Sequence, residues 1–324
     1  MRIKLWGVRG SLPSPLTPAA VEQRLKETCE ALVDAGIRDR DGVEKFLKQL
    51  PVHRSGGYGG NTPCIEVKAG QQRIVVDGGS GIRSLGYELL QGPCGQGQGE
   101  VHIMFTHFHW DHLMGLPFFA PIFIPGNRIH VYSVQPELRE VFETVFRKPY
   151  FPVPLKDIGA KIEYHRLEPR QPKPFGDLTV TPYQLDHPDP CWGYRFEYGG
   201  KVYAHCVDTE CKRVTREALG PDLPLYQGVD LMVFDAQYTL METIEKVNWG
   251  HAAAGLGLDI ALREGVKRVL FMHHDPASSD EKIATVETQT RRYYETARKA
   301  LRDSKVPVHE VEWGFAREGL ELEI

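Results

Sequence analysis

The chain reads as an α/β protein built on two β-sheets, and three observations carry that reading. Short apolar runs of strand character alternate with helical periods along the whole length, and no low-complexity linker or short repeat divides them. Several runs end alike, in a histidine or an aspartate: His107, His187, Asp208 and His273 each follow one. Hydrophobic residues make up 41% and charged residues 25%, an ordinary globular balance. A chain of 324 residues is somewhat above the size at which cores begin to divide, and one elaborated domain over 1–324 is expected.

The first half is rich in strands. "RIKLWGV" opens the chain, "TPCIEVKAG" and "QQRIVVDGG" form a hairpin, and "GEVHIMF" follows. Between the first two lies a helical insert at about 16–52, with Thr17 as N-cap, Pro18 in the first position and a stripe of Val21, Leu25, Leu32 and Val33. "DGVEKFLKQLP" adds a second short helix. At about 35 residues the insert exceeds what a connection needs, which suits a lid, a subunit contact in a homodimer, or a structural decoration.

Further on, "FFAPIFIPGNRIHVYSV" is an apolar loop and a strand, and "PELREVFETVF" a short helix. "LTVTPYQL" is a strand ending at His187, and "GYRFEYGGKVYAHCVD" a hairpin about Gly199 and Gly200 that ends at Asp208. Then come "DLMVFDA", the helical "HAAAGLGLDIALREG" and the strand "VKRVLFMHHDP". The last helix spans roughly Ser279 to Asp303, with Asp280 and Glu281 in its first turn and Lys299 and Arg302 in its last, the polarity a helix dipole favours. "VPVHEVEWG" and "GLELEI" close the chain as strands.

The densest signal is "VHIMFTHFHWDHLMG", residues 101–115, which runs from a buried strand into His107, His109, Asp111 and His112. A polar turn that happens to contain histidine is the ordinary alternative, but four ligand-type side chains at i, i+2, i+4 and i+5 after a strand point to metal. In an extended turn His107 and His109 project the same way and can share one ion. As the chain begins to coil, Asp111 and His112 swing toward a second, so two divalent ions are expected. Imidazole and carboxylate together suit Zn²⁺ first, with Mn²⁺ or iron as alternatives.

The formal charge of −4 and pI near 6.4 give no basic footprint for long nucleic acid. The opening "MRIKLWGVRGSLP" lacks the apolar core of a signal peptide and no apolar run reaches the length of a membrane span, so a cytoplasmic protein is expected. Cys29, Cys64, Cys94, Cys191, Cys206 and Cys211 show no CxxC pairing and read as reduced thiols.

The HxHxDH run, followed in order by a His, an Asp and another His at strand ends, resembles the metallo-β-lactamase superfamily over about Asp77 to His274. The resemblance implies a four-layer αββα sandwich of two mixed sheets with a dinuclear metal site along one edge. It implies that His107, His109 and His187 hold the first ion, that Asp111, His112 and His273 hold the second, and that Asp208 bridges them. It also makes Asp77, in "VVDGGSG", a brace for the metal loop. The choice of His273 over His274 comes from the resemblance alone, because both faces of "VKRVLFM" are apolar. True β-lactamases carry a cysteine where this chain has Asp208 in "CVDTE". Carboxylate bridging favours phosphodiester chemistry. Cys206, two residues earlier, is a lesser candidate ligand.

"VFDAQYT" and "NWGHAAAGLGLDIALREGVKRVLFMHHDP" resemble the branch that includes tRNase Z, in which an acidic residue pairs with a catalytic His that opens a helix; Asp235 and His251 stand there. "WGVRGSLP" with "YGGNTPCIEV" resembles bacterial cyclic-nucleotide phosphodiesterase-like hydrolases. The long Gly-rich arm with which the nuclease grips tRNA has no counterpart in residues 118–175, which show strands, prolines and aromatics.

The function so implied is hydrolysis of a small phosphodiester, a cyclic nucleotide for example, by attack of a metal-bound hydroxide. Asp111, His251 and Asp235 are then the catalytic residues, and His251 the proton donor to the leaving oxygen. The alternatives are an RNA 3′-end nuclease, a thioester or lactam hydrolase on the same core, and a non-catalytic nucleotide- or metal-binding sensory module. His53, His102, His130, His165, His205 and His309 read as surface or satisfied core histidines. Phe108, Trp110, Phe118, Phe119, Phe123, Tyr150, Phe151 and Trp192 read mostly as core. Base stacking by Tyr150, Phe151 or Trp192 and a phosphate contact from Arg9 are the less favoured readings.

Overall fold

Strand alternation and short connections build two seven-stranded mixed sheets, seen in a computed structural model that describes residues 1–305 and 309–324. In chain order the strands are β1 (Arg2–Gly7), β2 (Cys64–Ala69), β3 (Gln72–Val76), β4 (Glu100–Met104), β5 (Arg128–Ser133), β6 (Lys161–Arg166), β7 (Lys173–Phe175), β8 (Leu178–Leu185), β9 (Cys191–Tyr198), β10 (Lys201–Cys206), β11 (Leu231–Asp235), β12 (Arg268–Met272), β13 (Glu312–Phe315) and β14 (Glu321–Glu323). The first sheet runs β14-β1-β2-β3-β4-β5-β6 and the second β13-β12-β11-β10-β9-β8-β7. Strands β3 to β6 are mutually parallel, as are β10 to β13. The ends of β3, β4, β10, β11 and β12 therefore deliver Asp77, His107, Asp208, Asp235 and His273 to one rim.

The helices are α1 (Pro18–Asp34), α2 (Arg40–Gln49), α3 (Ile82–Leu89), α4 (Trp110–Leu113), α5 (Leu138–Val145), α6 (Arg216–Leu219), α7 (Leu240–Glu245), α8 (Ala254–Glu264) and α9 (Asp280–Asp303). Period-two patterning divides each strand between two cores. Val101 and Ile103 of β4 pack outward with Leu85 of α3 and Phe142 of α5. Met104 faces inward with Ile74, Val233 and Met272 from both sheets. Phe234 and Phe271 pack outward on Leu258 of α8 and Ile283 of α9. The result is the four-layer αββα order with two mixed sheets that was expected. Among the described residues no helix is long and apolar enough to cross a membrane.

Both helices of the insert form, with Thr17 accepting from Ala20 N and Asp39 from Gly42 N as N-caps, and neither buries a residue fully. The insert is tied to the body through Arg24, whose Nη2 lies 2.9 Å from Asp280 Oδ2. Arg9 closes the same carboxylate from inside: Nη2 is 3.1 Å from Asp280 Oδ1, and the guanidinium also donates to the carbonyls of Gly59, Asp275 and Ser278. At 3% exposure Arg9 holds β1 to the start of α9, which corrects its reading as a phosphate contact.

The strand expected over 306–314 is β13, beginning at Glu312; residues 306–308 lie outside the described ones. The sequence reading missed α3, which follows the "DGGSG" turn, and α7, whose apolar residues Leu240, Met241 and Ile244 face solvent and so leave no amphipathic signature. Because Asp280 compensates a buried guanidinium, Asp280→Asn is expected to destabilise the fold by about 3–5 kcal/mol in urea unfolding. A loss within the scatter of surface substitutions would remove Arg9 and Asp280 from the fold's supports.

Candidate dinuclear metal centre

The HxHxDH run changes conformation midway. His109 is extended, with φ −66° and ψ 154°, and the next four residues make the single turn α4, which carries Asp111 and His112. Two ligand groups follow from that change. One ligand atom each from His107, His109 and His187 lies within 4.8 Å of the others, and so do those of Asp111, His112, Asp208 and His273. Asp208 touches both groups: Oδ2 is 3.2 Å from His107 Nε2 and 3.0 Å from His112 Nε2, while Oδ1 is 2.9 Å from His273 Nε2.

The donors fit a pair of cations. Buried His107 Nε2, His112 Nε2 and Asp208 Oδ1 have no aligned hydrogen bond, although each has close neighbours. Atoms that crowd together without bonding to one another are aimed at a common point. Tetrahedral ligands at zinc distances lie roughly 3.3 Å apart. His109 Nδ1 and His187 Nε2 are 3.2 Å apart, Asp111 Oδ2 and His112 Nε2 3.3 Å, and Asp111 Oδ2 and His273 Nε2 3.2 Å.

Every imidazole of the two groups has its other nitrogen engaged. His112 Nδ1 lies 2.8 Å from Asp77 Oδ2, His109 Nε2 2.7 Å from Asp189 Oδ2, His273 Nδ1 2.7 Å from Gln237 Oε1, His187 Nδ1 3.1 Å from the Gly250 carbonyl and His107 Nδ1 3.0 Å from Thr106 Oγ1. Such acceptors set the tautomer and turn the free lone pair inward. Asp111 Oδ2 takes a 2.7 Å bond from the Ser11 amide. A Cβ on Gly10 would collide with His273 and Gln237, and one on Gly250, whose φ is +87°, with His187.

Burial alone would raise the buried carboxyls Asp111 and Asp208, but the His112 and His273 imidazoles overcome it and hold both well below the usual carboxylate range. Conversely, burial would lower His112 and His273, but the facing carboxylates push His112 well up and His273 to about 10. His107 stays well below its ordinary value through burial and the neighbouring His112. Without metal, then, His112 and His273 carry protons that neutralise the carboxylates, and metal must displace them.

Asp235 and His251 flank these groups. His251 Nδ1 lies 2.8 Å from Asp235 Oδ2, and its ring stacks on His273 at a 4.8 Å centroid distance. Asp235 also accepts from the amides of Thr209, Gln237 and Ala252, so one carboxylate ties three loops. His251 precedes α8 by three residues rather than opening it. His273 points into the cluster, whereas His274 Nε2 lies 2.8 Å from the Ala316 carbonyl and its ring stacks on Phe315.

Cys206 does not reach the centre: β10 ends there, and its thiol packs outward among Phe234 and Leu258, pushed well up by burial. Trp192 is buried between the sheets, and Phe151 packs on Phe118, Phe123 and Phe146. Tyr150 alone of the three stacking candidates is exposed, beside Arg147. All six cysteines are free.

Two mixed sheets between helices, with this His and Asp rim, define a metal-dependent hydrolase of the metallo-β-lactamase type. The chain belongs to the β-lactamase superfamily: the family profile "Beta-lactamase superfamily domain" matches residues 72–274. The ribonuclease Z of Clostridium perfringens is 23% identical over 264 residues, 65% of this chain and 82% of its own length. Among solved structures, the metallo-β-lactamase fold protein YhfI of Bacillus subtilis superposes with a TM-score of 0.62 at 14% identity, over 99% of this chain and 98% of that one. A diphosphatase of the PhnP family gives 0.58 at 18% identity, over 100% and 97%.

Two outcomes are expected. Apparent metal affinity of the stripped protein rises with pH toward about 10, where His273 loses its proton unaided, and calorimetry in buffers of differing ionisation enthalpy registers proton release on binding. Asp77→Ala, which frees the far nitrogen of His112, weakens metal affinity about 10–100-fold. Proton-neutral binding would refute the first, and unchanged affinity the second.

Proposed function

We propose that the protein is a dinuclear-metal-dependent phosphodiesterase acting on a small phosphodiester, with a cyclic nucleotide as the favoured substrate class and Zn²⁺ as the favoured metal. The observation that carries this reading is the position of Asp208, whose two oxygens lie against His107, His112 and His273 at 2.9–3.2 Å, beside the Asp235 and His251 pair.

His107, His109 and His187 would hold one cation and Asp111, His112 and His273 the other, with Asp208 between them. When bound, such a pair neutralises charge on phosphate oxygens and brings the pKa of water from 15.7 to about 7. The remaining work belongs to the chain. Asp235 accepts from Nδ1 of His251, which leaves Nε2 to hand a proton to the departing alkoxide. The amides of Thr209, Gln237 and Ala252 keep the Asp235 carboxylate from turning away. Asp111, fixed by the Ser11 amide, keeps its shared oxygen toward His112 and His273.

The surroundings of the centre favour a small ligand with an apolar face. Leu12, Trp110 and Trp249 are exposed, and each adjoins a residue of the centre or its supports: Ser11, Asp111 and Gly250. Side chains of this kind match a nucleobase, and the net charge of −4 adds no general attraction for a polyanion. An RNA 3′-end nuclease is the second reading, favoured by the ribonuclease Z match over 65% of the chain.

Metal-loaded protein assayed against 3′,5′- and 2′,3′-cyclic nucleotides, dinucleotides, a tRNA precursor and a lactam separates the readings: turnover of the cyclic or dinucleotide class alone is expected, and cleavage of the precursor alone overturns it. Asp111→Asn should abolish cleavage of bis-p-nitrophenyl phosphate. His251→Ala should cut kcat about 10²–10⁴-fold on an ester with a poor alkoxide leaving group and far less on the p-nitrophenyl ester, with metal content kept. Equal losses on both esters would exclude His251 as the proton donor.

A further inference from the structure

A second group of histidines, far apart in the sequence, lies at the other end of the first sheet. In the parallel pairing of β4, β5 and β6, His102 stands opposite His130, His130 opposite Glu163, and Tyr132 opposite His165. The residues follow the inward alternation of Met104 and Tyr132 within the strands, whereas the dinuclear centre lies beyond the strand ends. Five residues of β-strand path, about 15 Å, separate His102 from His107.

The ring centroids of His102 and His130 are 4.9 Å apart and those of His130 and His165 5.2 Å. His130 Nδ1 lies 3.0 Å from His165 Nε2 and 3.6 Å from Glu163 Oε2, and one ligand atom from each of the three residues falls within 4.8 Å of the others. The two closer separations bracket the roughly 3.3 Å edge of a tetrahedral zinc site. Glu163 divides its work: Oε1 takes Arg128 at 3.0 Å and Lys161 at 2.9 Å, which leaves Oε2 toward the imidazoles.

The other nitrogen of His130 supplies an independent sign. The side chain is 5% exposed, and Nε2, buried and without an aligned hydrogen bond, lies 2.8 Å from Glu100 Oε1. A histidine that ligates through one nitrogen and faces a carboxylate with the other is the arrangement that orients metal-bound imidazole. Partial burial and the adjacent His130 lower His165, and Lys161 and Arg128 pull Glu163 down to about 2, so both stand in the deprotonated form that a metal requires.

We propose that His130, His165 and Glu163 form a third divalent-cation site, of zinc type, with a water in the fourth position, that clamps edge strand β6 to β5. The clamp joins two side chains of β6 to one of β5 at the border of the first sheet, where among the described residues β6 has no further strand beside it. On this proposal His130 and His165 are more than the surface or satisfied core histidines that the sequence suggested. Glu100 and His102 orient His130 and do not ligate.

The test is a count. Stripped full-length protein is titrated with Zn²⁺ by calorimetry and then analysed for metal by mass spectrometry. Wild type is expected to take three equivalents per chain, and His165→Ala two, with cleavage of bis-p-nitrophenyl phosphate unchanged. Asp111→Asn must keep the third equivalent, which separates this site from failure of the catalytic pair. If His165→Ala does not fold, Glu163→Gln replaces it, and must also lose one equivalent. The same uptake in wild type and in the folded variant overturns the proposal.

Discussion

Buried carboxylate governs this structure. Asp77, Asp111, Asp208 and Asp235 are each at most 5% exposed; Asp77, Asp208 and Asp235 stand at the ends of strands or just beyond them, and Asp111 in α4, the turn that follows β4. A carboxylate taken out of water costs several kcal/mol unless positive charge or strong donors replace its hydration. Asp77 and Asp235 meet that demand with hydrogen bonds, the first from the Thr106 amide and hydroxyl and the second from three amides and His251. Asp111 and Asp208 are met by imidazoles that share protons with them, and so remain open to exchange for metal. The distinction separates the supports of the centre from the centre itself.

The same demand explains where the backbone departs from ease. Asp77 and His273 adopt left-handed φ values of +65° and +67°, a conformation that costs a residue with a Cβ of the order of 1–3 kcal/mol. Both follow directly on a strand, β3 and β12, and in both the turn brings a side chain back over the rim: Asp77 beneath His112, and His273 against Asp208. The interlocked strands hold these turns, since β3 is paired on both sides and β12 lies between β11 and β13.

Much of this was readable from residue order alone. The two sheets follow from apolar runs of strand length, and runs that end in His107, Asp208 and His273 mark a rim; that these residues share one site, and that His273 rather than His274 joins it, came from the resemblance to the metallo-β-lactamase superfamily. What could not be read is whatever lies across space without a local pattern. Asp189, Gln237 and the Gly250 carbonyl engage three of the histidines, yet one is a loop acid among many, one an amide and one a backbone atom. His102, His130 and His165 are separated by 28 and 35 positions, and only the parallel register brings them together. Cys206 entered as a lesser candidate because alternation was carried past the last residue of β10. Arg9 was open to a second, less favoured reading because a buried ion pair and a phosphate site call for the same side chain.

On the proposed assignment, the proton donor and the metal ligands are not independent parts. His273 lies between two other rings, stacked on His251 at 4.8 Å and on His112 at 5.7 Å, so its plane is shared with the proposed ligand on one side and the proposed acid on the other. Its Nδ1 is held by the side-chain Oε1 of Gln237, and the Gln237 backbone amide donates in turn to Asp235, the carboxylate that faces His251. One acidic residue at the end of β11 thereby fixes the donor directly and the ligand through a single intermediate. Gly10 completes the enclosure from β1, because only a residue without a side chain leaves room for His273 and Gln237 to meet. A displacement of either histidine must carry the other with it, so the proton that His251 would hand over and the geometry that His273 would offer to metal are set by the same few contacts.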